Sequence, residues 1–301
     1  MRNRLASLAI YGLSSALGVA AFLYPFFAPA SPDAAIGQAH ANDAPLLLTA
    51  LVVVCFGAVL VEAQGQAGSA KMVALLGILV SINALLRFVE VAIPGPGGFS
   101  PIFFLIVTTG YVFGGRFGFL MGALTLLVSA LVTAGMGPWL PYQMFTAGWI
   151  GMSAPLCRPL VRLVRGAGGS PLSLQGGGSP LSLQGGGSPP EGSQGGGWRE
   201  VAVLALFGGM WGLVFGAVMN LWFWPYASGP AGQHWQTGAS WVDGLTRYAA
   251  FYLATSLVWD ALRLVGNAAL TFAFGLPTLR ALRRFQQRFA FSYHSAGPVT
   301  P

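Results

Sequence analysis

The chain has 301 residues, of which 8% are charged and 54% hydrophobic, with a formal net charge of +7 and one lysine, Lys71. Soluble domains carry roughly 25% charged residues, so this composition cannot cover a water-facing surface and excludes a soluble globular enzyme. The fold class it implies is an all-α integral membrane protein.

Eight apolar runs approach the roughly 20 residues that a membrane helix needs. In chain order they are 5–27, 45–63, 71–92, 101–115, 117–134, 141–163, 199–224 and 247–275, the fourth short and the eighth long and charged. The first follows "MRNR" and ends near "APA", which has the flavour of a signal peptide. Its apolar run exceeds the roughly 7–15 residues of a signal core, and Pro29 sits awkwardly for cleavage, so a retained helix is expected. Cys55 and Cys157 fall inside spans, as small packing residues do.

Charge placement tests the count. With the N-terminus inside, Arg2, Arg4, Lys71, Arg116, Arg158, Arg162, Arg165, Arg199, Arg280, Arg283, Arg284 and Arg288 all lie on the cytoplasmic side. These are 12 of the 15 Lys and Arg residues, as the positive-inside rule expects. The outer connections hold Asp33, Asp43 and Asp243, with Arg247 near a helix end. A multi-pass protein of the plasma membrane with both termini cytoplasmic is expected. The excess positive charge reads as topology, not as nucleic-acid binding.

Between the sixth and seventh spans, "SPLSLQGGG" at Ser170–Gly178 is repeated at Ser179–Gly187. Such a Gly/Ser/Pro tract has nothing to bury and behaves as a flexible cytoplasmic linker. Glycines recur every fourth position at Gly110, Gly114, Gly118 and Gly122, and again at Gly208, Gly212 and Gly216. That spacing puts them on one helix face and lets backbones approach closely, although the first series crosses a charged break at Arg116. After the eighth span, "LRALRRFQQRFAF" alternates cations with Leu and Phe at helical spacing, as a helix lying along inner headgroups would.

Recognisable catalytic chemistry is missing. The single lysine sits in "GQAGSAKM", which is not a phosphate-binding loop, and the three histidines are scattered without metal-ligand spacing. No catalytic residue, metal site or cofactor is therefore expected. What remains is polar residues at membrane depth, costly enough to suggest function. Asn83, Arg87 and Glu90 share one face of the third span; Asn220, Trp222 and Trp224 end the seventh; Trp259, Asp260, Arg263 and Asn267 sit on the eighth. Arg87 with Glu90, and Asp260 with Arg263, are each three apart and could equally neutralise one another.

Three outer connections are rich in Pro and Gly and carry aromatics: "PGPGGFSP" from Pro94, "GMGPWLPYQ" from Gly135 and the tryptophan-rich segment from Asn220. Prolines stiffen a short connection, and Trp and Tyr commonly belt the membrane interface. Rigid aromatics with the uncharged amide of Gln143 also suit a mouth that closes over a planar organic molecule.

The stretch "GYVFGGRFGFLMGAL…GMGPWLPYQ" resembles the substrate-binding S components of energy-coupling factor (ECF) vitamin transporters. The resemblance rests on Gly110, Phe113, Gly114, Gly118, Phe119 and Gly122, then Gly135, Gly137, Pro138, Trp139, Pro141 and Gln143. It covers roughly 70–155 strongly and 199–288 more loosely. It implies a six-helix S-component-like core preceded by two extra helices, about eight transmembrane helices in all.

The resulting organisation is 1–66, two N-terminal helices; 67–165, the first four core helices; 166–197, the linker; 198–278, the last two core helices; and 279–301, a basic amphipathic tail. The implied function is capture of a vitamin-like small molecule at the outer face. Uptake would be driven by a transmembrane coupling subunit and two ATPase subunits. Trp139, Tyr142 and Gln143 would line or lid the pocket, Asn83 and Arg87 would meet a polar or anionic group, and Asn220, Trp222 and Trp224 would close the other wall. Family members dock through small residues of the first core helix, whose nearest equivalents are Ala74, Gly77, Ser81 and Ala84. The alternatives are a ligand-binding sensor or scaffold without transport, and an intramembrane enzyme using Asp260 and Arg263.

Overall fold

The computed structural model describes residues 2–27, 43–63, 68–92, 99–166, 192–227 and 229–289, and among these every regular element is helical. The chain forms α1 (Arg2–Leu23), α2 (Ala44–Ala63), α3 (Gly68–Ala92), α4 (Ile102–Phe113) and α5 (Gly115–Thr133). It continues as α6 (Leu140–Ser153), α7 (Cys157–Gly166), α8 (Gly192–Phe223), α9 (Trp241–Thr255) and α10 (Leu257–Phe289). Six of these, α1, α2, α3, α5, α8 and α10, are long and apolar enough to cross a membrane, and α4 is a shorter apolar helix. The repeat linker falls mostly on residues 167–191, outside the described residues, as do the turn at 93–98, the connection at 28–42 and the end of the tail from 290.

The short α4 is the centre of the bundle. Every residue from Ile102 to Val112 is buried, and α3, α5, α6, α8 and α10 all pack against it. The hydroxyls of Thr108 and Thr109 are satisfied within the helix, donating to Phe104 O at 2.8 Å and Leu105 O at 2.6 Å. Buried side-chain polar groups therefore cost little here. The helix stops at Gly114, whose φ of 106° is open to glycine and strained for any other residue.

Around this rod the apolar side chains of Leu13, Val53, Leu85, Leu131, Leu206 and Val265 are exposed, on six different helices. A bilayer is the solvent that such a girdle fits. Cys55 and Cys157 are buried free thiols.

The glycine spacing has a direct structural counterpart. At the α5–α6 crossing, Gly118 and Gly151 face each other backbone to backbone, and Gly122 sits against Ala147 O; a Cβ at any of the three glycines would overlap main-chain atoms. On α8, a Cβ at Gly212 would come within 2.9 Å of Leu264 N, and one at Gly216 would collide with the Asp260 carboxylate. Small residues thus set the approach of α5 to α6 and of α8 to α10.

Three segments differ from the hydropathy reading. The run 141–163 is not one helix: a 3₁₀ turn at Ala154–Leu156, carrying Pro155, separates α6 from α7. The run 247–275 is broken at Ser256, so that α9 and α10 are distinct. Finally, α10 continues through Pro277 into the segment expected as a separate tail, and Leu279 and Leu282 are buried. The bundle itself covers Leu279 and Leu282 of that segment, while Phe285 is exposed.

Candidate functional site

The aromatic turn between α5 and α6 is tightly made. α5 ends on Ala134 at φ 53°, with Gly135 N–H donating to Ala130 O at 3.0 Å, a left-handed helix stop. A Cβ at Gly137 would overlap the Trp139 indole, so glycine is the residue that fits beneath that ring as it stands. Leu140 N–H returns to Gly137 O and Gln143 N–H to Trp139 O, both at 3.0 Å, starting α6 with Pro141 in its first turn.

From this start α6 projects Tyr142 into the bundle, where it is fully buried. Its ring lies edge-on to Phe22 of α1 at 5.0 Å and 6.1 Å from Trp222 of α8, and Trp222 in turn meets Trp139 edge-on at 6.5 Å. Such edge-to-face pairs stabilise beyond their area burial. The Tyr142 hydroxyl donates to Asp43 Oδ2 at 3.0 Å, and Tyr24 donates to the same oxygen at 2.5 Å. One carboxylate before α2 therefore ties together the end of α1, the start of α2 and α6. Trp139 stays partly open at 38% exposure, and Gln143 is half-buried.

Trp224 belongs to a neighbouring aromatic group. Its indole N–H donates to Gln233 O at 2.8 Å, and its ring packs on Trp235 at 5.4 Å and Tyr248 at 4.9 Å. Phe26 touches Trp235 at 5.0 Å and Trp224 at 5.9 Å, joining the α1 end to this group as well.

The polar residues assemble elsewhere. Asn220 and Trp222 are two apart on α8, so their side chains leave the helix about 200° from each other. Trp222 turns to α6, whereas Asn220 Nδ2 donates to Ser256 Oγ at 2.7 Å, at the α9–α10 break. Below it on α10, Asp260 is buried and paired with Arg263, whose guanidinium lies over the Phe215 ring at 5.5 Å. Arg263 is also close enough to Glu90 and Arg87 of α3 to feel their charges. Arg87 bridges to Glu90 at 2.8 Å, and Ser100 Oγ donates to the other Glu90 oxygen at 2.8 Å. Asn220, Ser256, Asp260, Arg263, Glu90, Arg87 and Ser100 thus form a polar seam across α8, α10 and α3.

Asn83, fully buried, donates to Ile102 O and Thr125 Oγ1, each at 3.2 Å, while its Oδ1 has no hydrogen-bond partner among the described residues. Asn267 likewise has a buried Oδ1 without a partner among the described residues, its amide donating to Arg263 O at 2.9 Å.

The structure therefore brings Trp139, Tyr142 and Trp222 together, with Gln143 on the same turn. It sets Trp224 in the adjoining group, Asn220 and Arg87 in the polar seam, and Asn83 between α3, α4 and α5. Asp43, Tyr24 and Ser100 were not singled out by sequence. The only signal for Asp43 is that an acid beside a span is unusual in a chain with eight acids. On α3, Ala74, Gly77 and Ser81 lie on the exposed face, with open space around Gly77, whereas Ala84 is buried against the bundle. Among the described residues no cluster of His, Cys, Asp or Glu could hold a metal ion.

Compared with known proteins, the chain matches the family model described as "ECF transporter, substrate-specific component" over residues 71–274. Neither a curated protein nor a solved structure matches it significantly. The match runs from the first turn of α3 into α10 and takes in the glycine crossings, the aromatic turn and the polar seam, leaving α1 and α2 outside. The chain belongs to the family of substrate-specific components of ECF transporters.

Proposed function

We propose that this protein captures a vitamin-like small molecule at the aromatic end of the bundle. A separate transmembrane coupling subunit and two ATPase subunits would then drive uptake. The chain crosses the plasma membrane about eight times, with α6 forming one passage as far as the Pro155 turn and both termini cytoplasmic. The aromatic end faces outward. What supports this orientation is that the cations gather at the opposite end, as the positive-inside rule requires.

The observation that carries the reading is the set Trp139, Tyr142 and Trp222. Three rings from two family-matched helices converge at one end of the bundle, two of them buried and Trp139 partly open. Rigid aromatic faces bind planar organic molecules at low entropic cost. Trp139 and Gln143 serve as the lid and Tyr142 and Trp222 as the wall, with Trp224 behind them in the adjoining group; Asn83, Arg87 and Asn220 stand apart from these rings and are not assigned to this mouth. Ala74, Gly77 and Ser81 offer the coupling subunit a flat face on α3, with Ala84 behind it.

The test has two arms. Mass spectrometry of the detergent-purified protein should find a retained small molecule, and titration with it should give micromolar or tighter affinity. Trp139→Ala should weaken that affinity by about tenfold, and Trp139→Phe, which keeps a ring against Trp222, should weaken it less. Uptake in a nutrient-auxotrophic host should require both this chain and the ATPases. Ligand binding with no ATPase-dependent uptake would favour a sensor instead.

A further inference from the structure

The opposite, basic end of the bundle holds a cavity of about 390 Å³ that the nutrient-binding reading does not use. Its walls come from the C-terminal end of α4, from α7, from the start of α8 and from the last turns of α10. Arg158, Arg162, Arg165 and Arg283 face it, and among the described residues Glu200 is the one acid that lines it. Glu200 is 1% exposed and fully engaged. Arg165 holds Oε2 at 2.8 Å, while Arg283 and the Tyr111 hydroxyl both reach Oε1, the latter at 2.5 Å. Arg158 donates to Tyr111 O at 3.1 and 2.6 Å, closing the carbonyl end of α4, and Gln286 donates to Val112 O at 3.0 Å.

These contacts fix three guanidiniums in place. Arg158 satisfies neutral carbonyls, and Arg165 and Arg283 converge on Glu200. Arg162 stands exposed on the same wall. The result is a preorganised cationic cradle, and planar guanidinium forks match phosphate oxygens better than any other side chain.

The orientation of α7 says which phosphate. Arg158, Arg162 and Arg165 fall at i, i+4 and i+7, on one face, while Leu160 and Leu163 are exposed on the opposite face and Cys157 and Val161 are buried between them. A short helix with an exposed apolar stripe opposite a basic one lies in the headgroup layer, apolar side toward the acyl chains. We infer that this cavity binds a phosphate ester, supplied by the headgroup of an anionic phospholipid in the leaflet at the basic end.

The experiment uses the full chain, stripped of lipid in detergent and titrated with phosphatidylglycerol, phosphatidylcholine or inorganic phosphate, and followed by native mass spectrometry. Phosphatidylglycerol should bind and phosphatidylcholine should not. Arg162→Gln should weaken phosphatidylglycerol binding by about tenfold, because Arg162 has no role in holding Glu200 or α4. Arg280→Gln and Arg284→Gln remove the same charge at the same end, outside the cavity wall, and should change binding less than twofold.

Competition by millimolar inorganic phosphate would keep the phosphate site and assign it a soluble source. An equal loss in Arg162→Gln and the two control variants would reduce the binding to diffuse charge and overturn the proposal. So would phosphatidylglycerol binding that survives Arg162→Gln together with loss of the coupling subunit, which would make the patch a protein contact. Nutrient affinity should be the same in all three variants, so failure here leaves the proposed transport function standing.

Discussion

The Tyr24–Asp43–Tyr142 clasp allows a sharp prediction, because its two phenols differ in burial and share one acceptor. Tyr142→Phe keeps the ring between Phe22 and Trp222 and deletes the 3.0 Å bond to Asp43. A hydrogen bond to a charged group is worth about 1.5–3 kcal/mol. Asp43 is only half-buried and keeps Tyr24, so the loss should sit near the lower limit, about 1.5 kcal/mol. Tyr24→Phe breaks a shorter bond at a more exposed site, where water replaces the hydroxyl, and should cost about 0.5 kcal/mol. Thermal unfolding of the purified protein in detergent reads both, at roughly 2–4 °C per kcal/mol for a chain of this size. Combined with Asp43→Asn, Tyr142→Phe should show a coupling of about 1 kcal/mol in a double-mutant cycle. Strictly additive penalties, or a larger loss from Tyr24→Phe than from Tyr142→Phe, would refute the clasp. Nutrient affinity separates its two roles: Tyr142→Phe should leave it nearly unchanged, and Tyr142→Ala should lower it along with stability.

Gly118→Ala should destabilise the protein by about 3 kcal/mol, since its methyl group would meet the Gly151 backbone rather than a side chain that can move; a melt unchanged from the parent would deny that close crossing. Gly216→Ala should be as damaging and should also displace Asp260, which a shifted Arg263–Asp260 pairing in a new structure would reveal. Glu200→Gln should cost about 2 kcal/mol, less than for a fully buried pair because Arg165 and Arg283 are 44% and 40% exposed; the same melt measures it. Gly77→Leu adds bulk to an open surface, so stability and nutrient affinity should hold while co-purification of the coupling subunit falls; retained co-purification would move the docking face elsewhere.

Much of this fold is legible in one dimension. The spans of α2, α3 and α5 follow hydropathy closely, and the four-residue glycine spacing locates the α5–α6 and α8–α10 crossings. Pro155 and Pro159 within "SAPLCRP" could have announced the break between α6 and α7, but an averaged apolar run hides a turn whose side chains remain hydrophobic. The break at Ser256 has no comparable signal. Neither Pro nor Gly stands there, and the chain turns where Ser256 accepts the Asn220 amide, a contact between residues 36 apart. The tail at Leu279–Phe289 shows why an amphipathic pattern is ambiguous: it demands a cover for one face without saying whether lipid or protein supplies it.

The site was legible to the extent that it is local. Trp139, Tyr142 and Gln143 stand in one conspicuous turn. Asp43 lies 99 positions from Tyr142 and has no motif around it. Asn220 and Trp222 looked like one wall because they adjoin in sequence, yet helical geometry sends them to opposite faces of α8.

The packing constrains how such a protein could move its cargo. α4 is buried along nearly its whole length, and α5 and α6 cross it and each other at glycines with main-chain atoms in contact. Interfaces of that kind tolerate no sliding of one helix past another without a clash of backbones, which no change of rotamer can relieve. Opening a path through the bundle would have to part α4 from five neighbours. It would also break the Asp43 clasp at one end or the Glu200 cluster at the other, each held by residues from three or more segments of the chain. Movement of the bundle as one body leaves all of these contacts intact and asks only that the lipid-facing girdle change its surroundings. The close crossings at Gly118 and Gly151 therefore favour whole-body reorientation over a channel between helices, and locking α5 to α6 with a disulfide should leave uptake intact.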